Sequence, residues 1–483
     1  MKAKPILNTL GAFLFILGLL MAVPLGCSLY YGESDTQGFA LSFLITSGVG
    51  FVLYLAGKPQ GDKTLLGHRE GFLIVSAGWV LASFFGGLPY LIYGALPSLT
   101  DAYFETMSGF TTTGATVITK IEALPHGILL WRSMTQWLGG MGIIVLSVAV
   151  LPFLGVGGRQ LFKAELPGPV KDKLEPRIVE TARSLWIVYG IITVIGFIFF
   201  LLGGMSVFDA VNHIFCAMAT GGFSTKDSSV AWFDSAYIDG VFIAFMLLAG
   251  MNFTLHYQVL TGNFRSFYKN SELRFFLGTV VIATLLITAD LYLHVSADIG
   301  KAFRYALFQA SSIMTTTGFV TDNFANWPAF SQIILVLLMF IGGSAGSTGG
   351  GIKCVRLLLI LKDSYRELYR LIHPHAVTQV KLDHMSVSPE VMKSIWGFFA
   401  LYIGLAVLAT VLMSSLGLDM LTSFASVAAT IGNIGPGLGL VHPSSTYAEV
   451  PALGKWILSF CMLLGRLEIY TVLVLLMPEF WKK

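Results

Sequence analysis

The sequence predicts an all-α polytopic membrane protein: four copies of one unit (span, re-entrant half-helix, span) around a central path, preceded by two extra transmembrane helices. Three observations predict it. Of 483 residues, 55% are hydrophobic and only 12% charged, arranged in apolar runs of the ~20 residues that cross a ~30 Å hydrocarbon core. A short Thr/Gly turn recurs four times, each preceded by a polar half-length segment and followed by another apolar run. Aligning Gly114, Gly222, Gly318 and Gly432 gives separations of 108, 96 and 114 residues, the mark of one fold unit copied.

Residues 1–69 carry two spans, near 6–30 and 38–57. Lys2 and Lys4 precede the first, but the run is long and no small-x-small cleavage site ends it, so it reads as a mature helix and not a signal peptide. The first copy, 70–159, sets spans near 70–95 and 128–154 about a half-helix from Asp101-Ala102 and the turn Thr111-Thr112-Thr113-Gly114. The second, 160–272, sets spans near 183–203 and 237–260 about Asp209-Ala210 and Thr220-Gly221-Gly222-Phe223. The third, 273–370, sets spans near 274–294 and 330–361 about Tyr305-Ala306 and Thr316-Thr317-Gly318-Phe319. The fourth, 371–483, sets spans near 393–415 and 453–477 about Asp419-Met420 and Thr430-Ile431-Gly432-Asn433. The count is ten full spans and four half-spans.

The Asp (Tyr305 in the third copy) stands thirteen residues before the aligned glycine. An Asp there caps a helix N-terminus by accepting backbone N–H bonds. A twelve-residue helix is about 18 Å long, so its C-terminal end stops near mid-membrane. Such an end carries about half a negative charge, and four of them converging favour a cation. Irregular backbone in lipid is tolerated only where it is buried in protein or lines a water-filled cavity, so four breaks imply a shared path, read as an ion pore. Glycine permits the positive φ that turns successive carbonyls toward an axis, and rings of carbonyls replace the water shell of a monovalent cation. In this alignment Thr112, Thr220, Thr316 and Thr430 form one layer, and Thr113, Gly221, Thr317 and Ile431 the next. A single Thr-Gly turn is usually only a helix C-cap; four in register are not explained that way.

Charge sets the expected orientation. The loops 58–69, 159–183, 265–274 and 353–393, with both termini, hold 23 of the 30 Lys and Arg residues, whereas the opposite side holds Lys120, Lys226 and Lys455, with Lys301 and Arg304 just before the third half-helix. The positive-inside rule then puts both termini in the cytoplasm and the turns open to the outside. Cys27, Cys216, Cys354 and Cys461 are scattered without a CxxC pair and suggest neither a disulfide framework nor a metal site.

The last span of the third copy is interrupted by six glycines within 342–351: Gly342, Gly343, Gly346, Gly349, Gly350 and Gly351, with Ser344, Ser347 and Thr348 among them. Each Gly costs about 1 kcal/mol against Ala in a helix, so the run reads as a movable intramembrane gate, the alternative being a packing kink. Lys353 does not complete GxxxxGK[ST], so it is no phosphate loop. Arg466 lies inside the last apolar span, where a cation faces a cavity or a partner; it serves as an electrostatic barrier, an anchor for the glycine loop, or a structural ion pair. His213 reads as a packed, hydrogen-bonded side chain, and Asp290 is ambiguous. Arg356, Lys362, Arg366 and Arg370 in the basic segment 353–393 read equally as a topology determinant and as a dock for a partner.

The chain resembles the TrkH branch of the Trk/Ktr/HKT superfamily over nearly its whole length. The resemblance rests on the four turns, Gly-Gly-Met-Gly-Ile-Ile at 139–144, the run 342–351, Gly465-Arg466-Leu467 and the two extra spans before residue 60. It implies four M1-P-M2 modules around one central pore, with potassium as the only metal bound, at Thr111, Thr112, Thr113, Gly114, Thr220, Gly221, Gly222, Thr316, Thr317, Gly318, Thr430, Ile431, Gly432 and Asn433. It also implies a bacterial inner-membrane homodimer and a cytosolic, nucleotide-binding TrkA-type regulatory subunit, with no organic cofactor on this chain. Relatives that pass sodium often carry Ser for one filter glycine; all four glycines here favour potassium. The departures are Gly221 for Thr in the second turn, and Ile431 with Asn433 in the fourth.

The leading expectation is therefore a gated potassium-conducting subunit. The alternative is a proton- or sodium-coupled symporter working by alternating access, though such transporters usually show two related halves. An enzyme is disfavoured, since no paired acid and nucleophile shares an intramembrane face. No nucleic-acid partner is expected.

Overall fold

The computed structural model describes residues 3–58, 67–149, 174–383 and 385–482. The expected boundary at 159/160, residues 150–154 of one span, and most of the basic loops 58–69 and 159–183 lie outside the described residues. The chain is a multi-pass, mostly helical membrane protein: six described helices are long and apolar enough to cross a bilayer, or up to eight if each of two sharply bent pairs counts as one.

In chain order, α1 (Ala3–Leu20) continues as α2 (Ala22–Tyr31), and α3 (Thr36–Ala56) folds back along α1. Gly11 and Gly50 let those two backbones touch, since a methyl on either would strike the other helix. Next come α4 (His68–Gly86), α5 (Leu88–Tyr93), the half-helix α6 (Leu99–Phe110) and the unbroken α7 (His126–Ala149). After α8 (Leu174–Leu202) and the half-helix α9 (Val207–Met218) come α10 (Ala236–Gly250), α11 (Phe253–Leu260) and α12 (Arg265–Lys269). Then α13 (Ser271–His294) precedes the half-helix α14 (Ile299–Met314), α15 (Ala329–Met339) and α16 (Cys354–Ile372). A small hairpin, β1 (Lys381–Leu382) and β2 (Met385–Ser386), leads to α17 (Pro389–Ser415), the half-helix α18 (Met420–Ile431), α19 (Ala452–Arg466) and α20 (Tyr470–Leu473).

The outward faces are the apolar ones. Leu44, Val52, Val194, Ile282, Leu285, Val407 and Val411 are exposed, whereas Ser42, Thr46, Thr284 and Thr288 on the same helices point inward. That is the reverse of a water-soluble bundle and suits a lipid surround.

Three expected spans are not straight. Between α10 and α11 the chain bends by 100°, and between α19 and the turn of helix after it by 111°. At the second bend Glu468 and Ile469 take left-handed φ of 61° and 50°. The 330–361 span stops at Met339, and α16 is amphipathic, burying Val355, Leu359 and Ile360 while exposing Leu361, Tyr365 and Leu368.

The half-helix starts also need correction. Asp419 is an N-cap, accepting from the Thr422 N–H at 3.0 Å, but Asp101 and Asp209 each sit three residues inside, behind Ser98 and Ser206. Ser206 accepts from the Asp209 N–H, and Asp101 instead meets Lys455 Nζ at 2.6 Å. In the third copy the cap is Asp298, not the Tyr305 position, and α14 is longer, at 16 residues against 12 for each of the other three. Asp290 also caps: its carboxylate accepts from the Ser331 N–H at 3.1 Å and from the Ser331 hydroxyl, fixing the start of α15.

Candidate functional site

All four half-helices end in the same way. In each, one residue past the helix is followed by a residue in the left-handed region: Thr112 (φ 52°), Thr220 (53°), Thr316 (59°) and Asn433 (55°). Their N–H groups reach three residues back, to the carbonyls of Gly109, Ala217, Ile313 and Thr430, at 2.9–3.2 Å. The next residues, Thr113, Gly221, Thr317 and Ile434, reach five back, to Ser108, Cys216, Ser312 and Ala429, at 2.8–2.9 Å. This is the Schellman ending, which normally takes glycine or asparagine at the left-handed position. A β-branched residue there is a true outlier, so threonine in three copies is strain of the kind that collects at functional sites.

Two residues on comes a glycine at φ 82°, 77°, 83° and 96°: Gly114, Gly222, Gly318 and Gly435. A methyl on Gly114 would strike the carbonyl of Gly221, on Gly222 that of Thr317, on Gly318 that of Ile434, and on Gly435 that of Thr113. Each turn thus packs its glycine on the preceding carbonyl of the next turn, and the fourth returns to the first. The contacts close a cycle around one axis. On the side away from the helices, a cavity of about 160 Å³ is lined by the same four glycines, with Lys226, Asp227 and His442 farther out.

The cycle corrects the fourth turn by three residues. Gly432 has an ordinary φ of −78° and caps α18, Ile431 is the last helical residue, and Thr430 lies inside the helix with its hydroxyl on the Ser426 carbonyl at 2.7 Å. The layers are therefore Thr112, Thr220, Thr316 and Asn433, then Thr113, Gly221, Thr317 and Ile434. Thr111 belongs one position earlier, with Ala219, Thr315 and Gly432. Asn433 tolerates left-handed backbone better than threonine, and its Nδ2 donates to Thr113 Oγ1 and to the Met462 carbonyl, both at 3.0 Å.

Buried polar groups hold the turns from behind. Glu105 and Arg132, both essentially without solvent exposure, pair at 3.0 Å. Glu105 also accepts from the Thr116 hydroxyl and the Val117 N–H, each at 2.9 Å, while Arg132 donates to the Ser224 carbonyl at 3.0 Å and stacks 4.1 Å over Phe223. One ion pair thus ties the segments after the first and second turns. His213 bridges the Asp209 carbonyl (2.8 Å) and Ser224 Oγ (2.9 Å) as a packed structural side chain. Sequence reading did not single out Glu105, Arg132 or Gln136; a charged or amide side chain inside an apolar run was the available signal.

On the helix side of the cycle lies the loop 342–351. Its ends are pinned where the Gly342 N–H meets the Ile352 carbonyl (2.8 Å) and the Cys354 N–H meets that of Gly343 (3.1 Å). Ser344 N–H donates to the Gly250 carbonyl at 2.9 Å, and the Thr348 hydroxyl to those of Met218 and Ala249, both at 3.1 Å. The Gly346 carbonyl accepts from Phe253 N–H, and Ser347 Oγ donates to the Ser344 carbonyl at 2.6 Å. The Gly350 N–H reaches Thr316 Oγ1 at 2.6 Å, and Lys353 Nζ donates to the Gly349 carbonyl. Gly346 and Gly351 need their glycines, at φ 74° and 65°. Arg466, 2% exposed, donates to the Thr348 carbonyl at 2.6 Å and to that of Gly139 at 3.3 Å. Of its three sequence readings the geometry contains the anchor; Glu468 pairs instead with Arg356. Arg356 is thereby buried and stacked on Phe398, which removes it from the basic surface. Lys362, Arg366 and Lys381 remain along a groove of about 520 Å³ beside Tyr365 and Tyr369.

A lipid-facing bundle enclosing a cycle of backbone turns, with a polar cavity on one side and a loop on the other, defines a multi-pass membrane transport protein. Residues 36–483 match the TrkH family, described as cation transport protein. The chain is 42% identical over 488 residues to the Trk system potassium uptake protein TrkH of Salmonella typhimurium, covering all of both chains. To TrkG of Escherichia coli it is 38% identical over 476 residues, covering 98% of this chain and 97% of TrkG. A crystal structure of the potassium transporter TrkH from Vibrio parahaemolyticus matches with a TM-score of 0.92 at 40% identity, all of both chains being covered. The chain belongs to the TrkH family of cation transport proteins; its relatives are transporters, not enzymes.

Proposed function

We infer that this chain is the potassium-conducting membrane subunit of a Trk-type uptake system. The observation that carries the reading is the closed cycle in which each turn glycine lies on a carbonyl of the next turn. Rings of such oxygens replace the hydration shell of a monovalent cation, and the relatives are potassium uptake proteins by name. In this reading the chain is four M1-P-M2 modules, near 70–159, 160–272, 273–370 and 371–483, behind the two N-terminal helices of 1–69. Potassium passes Thr112, Thr113, Gly114, Thr220, Gly221, Gly222, Thr316, Thr317, Gly318, Asn433, Ile434 and Gly435.

The loop 342–351 is the gate and Arg466 its latch, a reading supported by the bond from Arg466 to the Thr348 carbonyl and by that from the Gly350 N–H to Thr316 Oγ1. In this reading the protein sits in the bacterial inner membrane as a homodimer, as the family resemblance implies, and the bias of Lys and Arg toward one set of loops supports cytoplasmic termini. A TrkA-type nucleotide-binding subunit then docks on the cytoplasmic face, where Lys362, Arg366 and Lys381 line a groove.

The test is cation flux into proteoliposomes holding only this chain, under potassium, rubidium and sodium gradients, with Gly318→Ser alongside. Potassium and rubidium flux that excludes sodium, and loses that preference in the variant, supports the reading. Flux that requires a proton or sodium gradient replaces it with the symporter.

A further inference from the structure

Turns one and three are braced from within. The hydroxyls of Thr111 and Thr113 lie 2.8 Å apart, and those of Thr315 and Thr317 2.7 Å apart. Turn two has Ala219 and Gly221 at those positions and cannot make this brace. A side chain from the neighbouring copy takes its place. Gln136 on α7 donates from Nε2 to the Gly221 carbonyl at 2.6 Å and accepts at Oε1 from the Phe223 N–H at 3.1 Å. Both halves of the amide are used on alternate backbone positions, and the side chain has no solvent exposure. Arg132, one helical turn earlier, holds the Ser224 carbonyl, so α7 fastens turn two and its exit at three points, residues 221, 223 and 224.

The fit is reciprocal. The left-handed residues of turn two are Thr220 and Gly222, not Gly221, so backbone conformation does not demand glycine at 221. A methyl there would instead collide with the Gln136 amide, meeting Nε2 at 2.7 Å and Cδ and Oε1 closer still. The departure of turn two from the Thr pattern is thus explained by a residue 85 positions away.

We propose that Gln136 is a positioning residue that sets ion specificity by fixing the direction of the Gly221 carbonyl. This rests on the reading of the four turns as the cation filter. Among the described residues, the carbonyls at this level in the other turns, Thr113, Thr317 and Ile434, take no side-chain donor. The Nε2 bond occupies one lone pair of the Gly221 oxygen and leaves the other for an ion. Without the tether the oxygen is free to move inward around a smaller cation, and discrimination against sodium falls.

The experiment uses the full chain in proteoliposomes and compares Gln136→Ala, Gly221→Thr, the double variant, and Gly318→Ser as a control, each with its thermal stability measured. Gln136→Ala is expected to keep potassium flux but lower the potassium-to-sodium ratio about five- to tenfold, the scale of one lost hydrogen bond. Gly221→Thr alone is expected to abolish flux, and Gln136→Ala to restore it. A merely structural Gln136 would lower stability and leave the ratio untouched. If Gly318→Ser alters the ratio while Gln136→Ala does not, or if the double variant gives no rescue, the role of Gln136 is refuted and the filter reading survives. If neither alters it, the filter reading itself fails. Should Gln136→Ala not fold, Gln136→Met keeps a side chain of similar length, removes the donor and adds no charge. An unchanged ratio in that variant overturns the proposal, and a fallen ratio supports it.

Discussion

Arg466→Ala tests the latch. The guanidinium donates to the Thr348 carbonyl at 2.6 Å and to that of Gly139 at 3.3 Å, linking the glycine loop to α7. A hydrogen bond from a charged donor contributes roughly 1.5–3 kcal/mol; the shorter contact belongs in that range and the longer adds little. If the loop is the gate, the Thr348 bond exists only while it is seated, so its loss would act on the closed state alone. At about 1.4 kcal/mol per tenfold change, the open fraction rises by about ten- to a hundredfold from a small starting value. The assay is rubidium uptake into proteoliposomes of this chain alone, at matched incorporation and with folding checked by size exclusion. Arg466→Lys separates latch from barrier: it keeps the charge but not the planar two-way fork. Leak through the Lys variant near that of the Ala variant identifies the latch; a tight Lys variant identifies the charge. Unchanged or lower flux through a well-folded Arg466→Ala protein would refute both.

Four further outcomes rest on the same geometry. Gly435→Ala strains a left-handed position and strikes the Thr113 carbonyl, so it should impair ion selectivity, as is expected of Gly318→Ser. Gly432→Ala, at φ −78°, should lower stability while sparing the potassium-to-sodium ratio; the opposite pattern would restore the alignment on Gly432. Glu105→Ala strands the buried Arg132, a loss on the order of 3–5 kcal/mol, read as a lowered melting temperature in detergent, and an unchanged one would contradict the tie. Ser344 and Thr348 are buried in the seated loop, so cysteines there should react with a cytoplasmic thiol reagent faster in Arg466→Ala than with Arg466 present. Equal rates would count against loop movement.

The number and kind of the turns were legible because each repeats a local pattern. The register of the fourth was not, and two features misled together. Thr430-Ile431-Gly432 imitates Thr-x-Gly, and Asp419 imitates Asp101 and Asp209 at the same thirteen-residue spacing. Both are displaced by three residues, because Asp419 is a cap while the other two lie inside their helices. The usable signal was Asn433, the residue in that segment most at ease at positive φ, followed by Gly435-Pro436. The bends after Gly250 and Arg466 left no trace in hydropathy, which averages over direction; the polar Asn252 and Glu468 within apolar runs were the only marks. The reason for Gly221 was out of reach, since it is the side chain of Gln136 on another copy.

The bend after α10 and the glycine loop are best understood as one device. A helix end leaves its last carbonyls without intrahelical partners, and a loop without secondary structure has N–H groups that need partners once buried. Here the two needs meet. α10 ends at Gly250, and the freed carbonyls of Ala249 and Gly250 accept from the Thr348 and Ser344 N–H groups at 3.3 and 2.9 Å. Were α10 to run straight on into α11, those carbonyls would bond within the helix and the loop would lose two of its seats. The end of α9 gives the same service through Met218, and the end of α19 through Arg466. Among the described spans that follow the four turns, α7 alone runs on unbroken, and it contributes in other ways, through the Gly139 carbonyl to Arg466 and through Gln136 and Arg132 to the second turn. The segments around the four turns are thus unequal: the first supplies a brace, the second and fourth supply broken helix ends, and the third supplies the loop that rests on them.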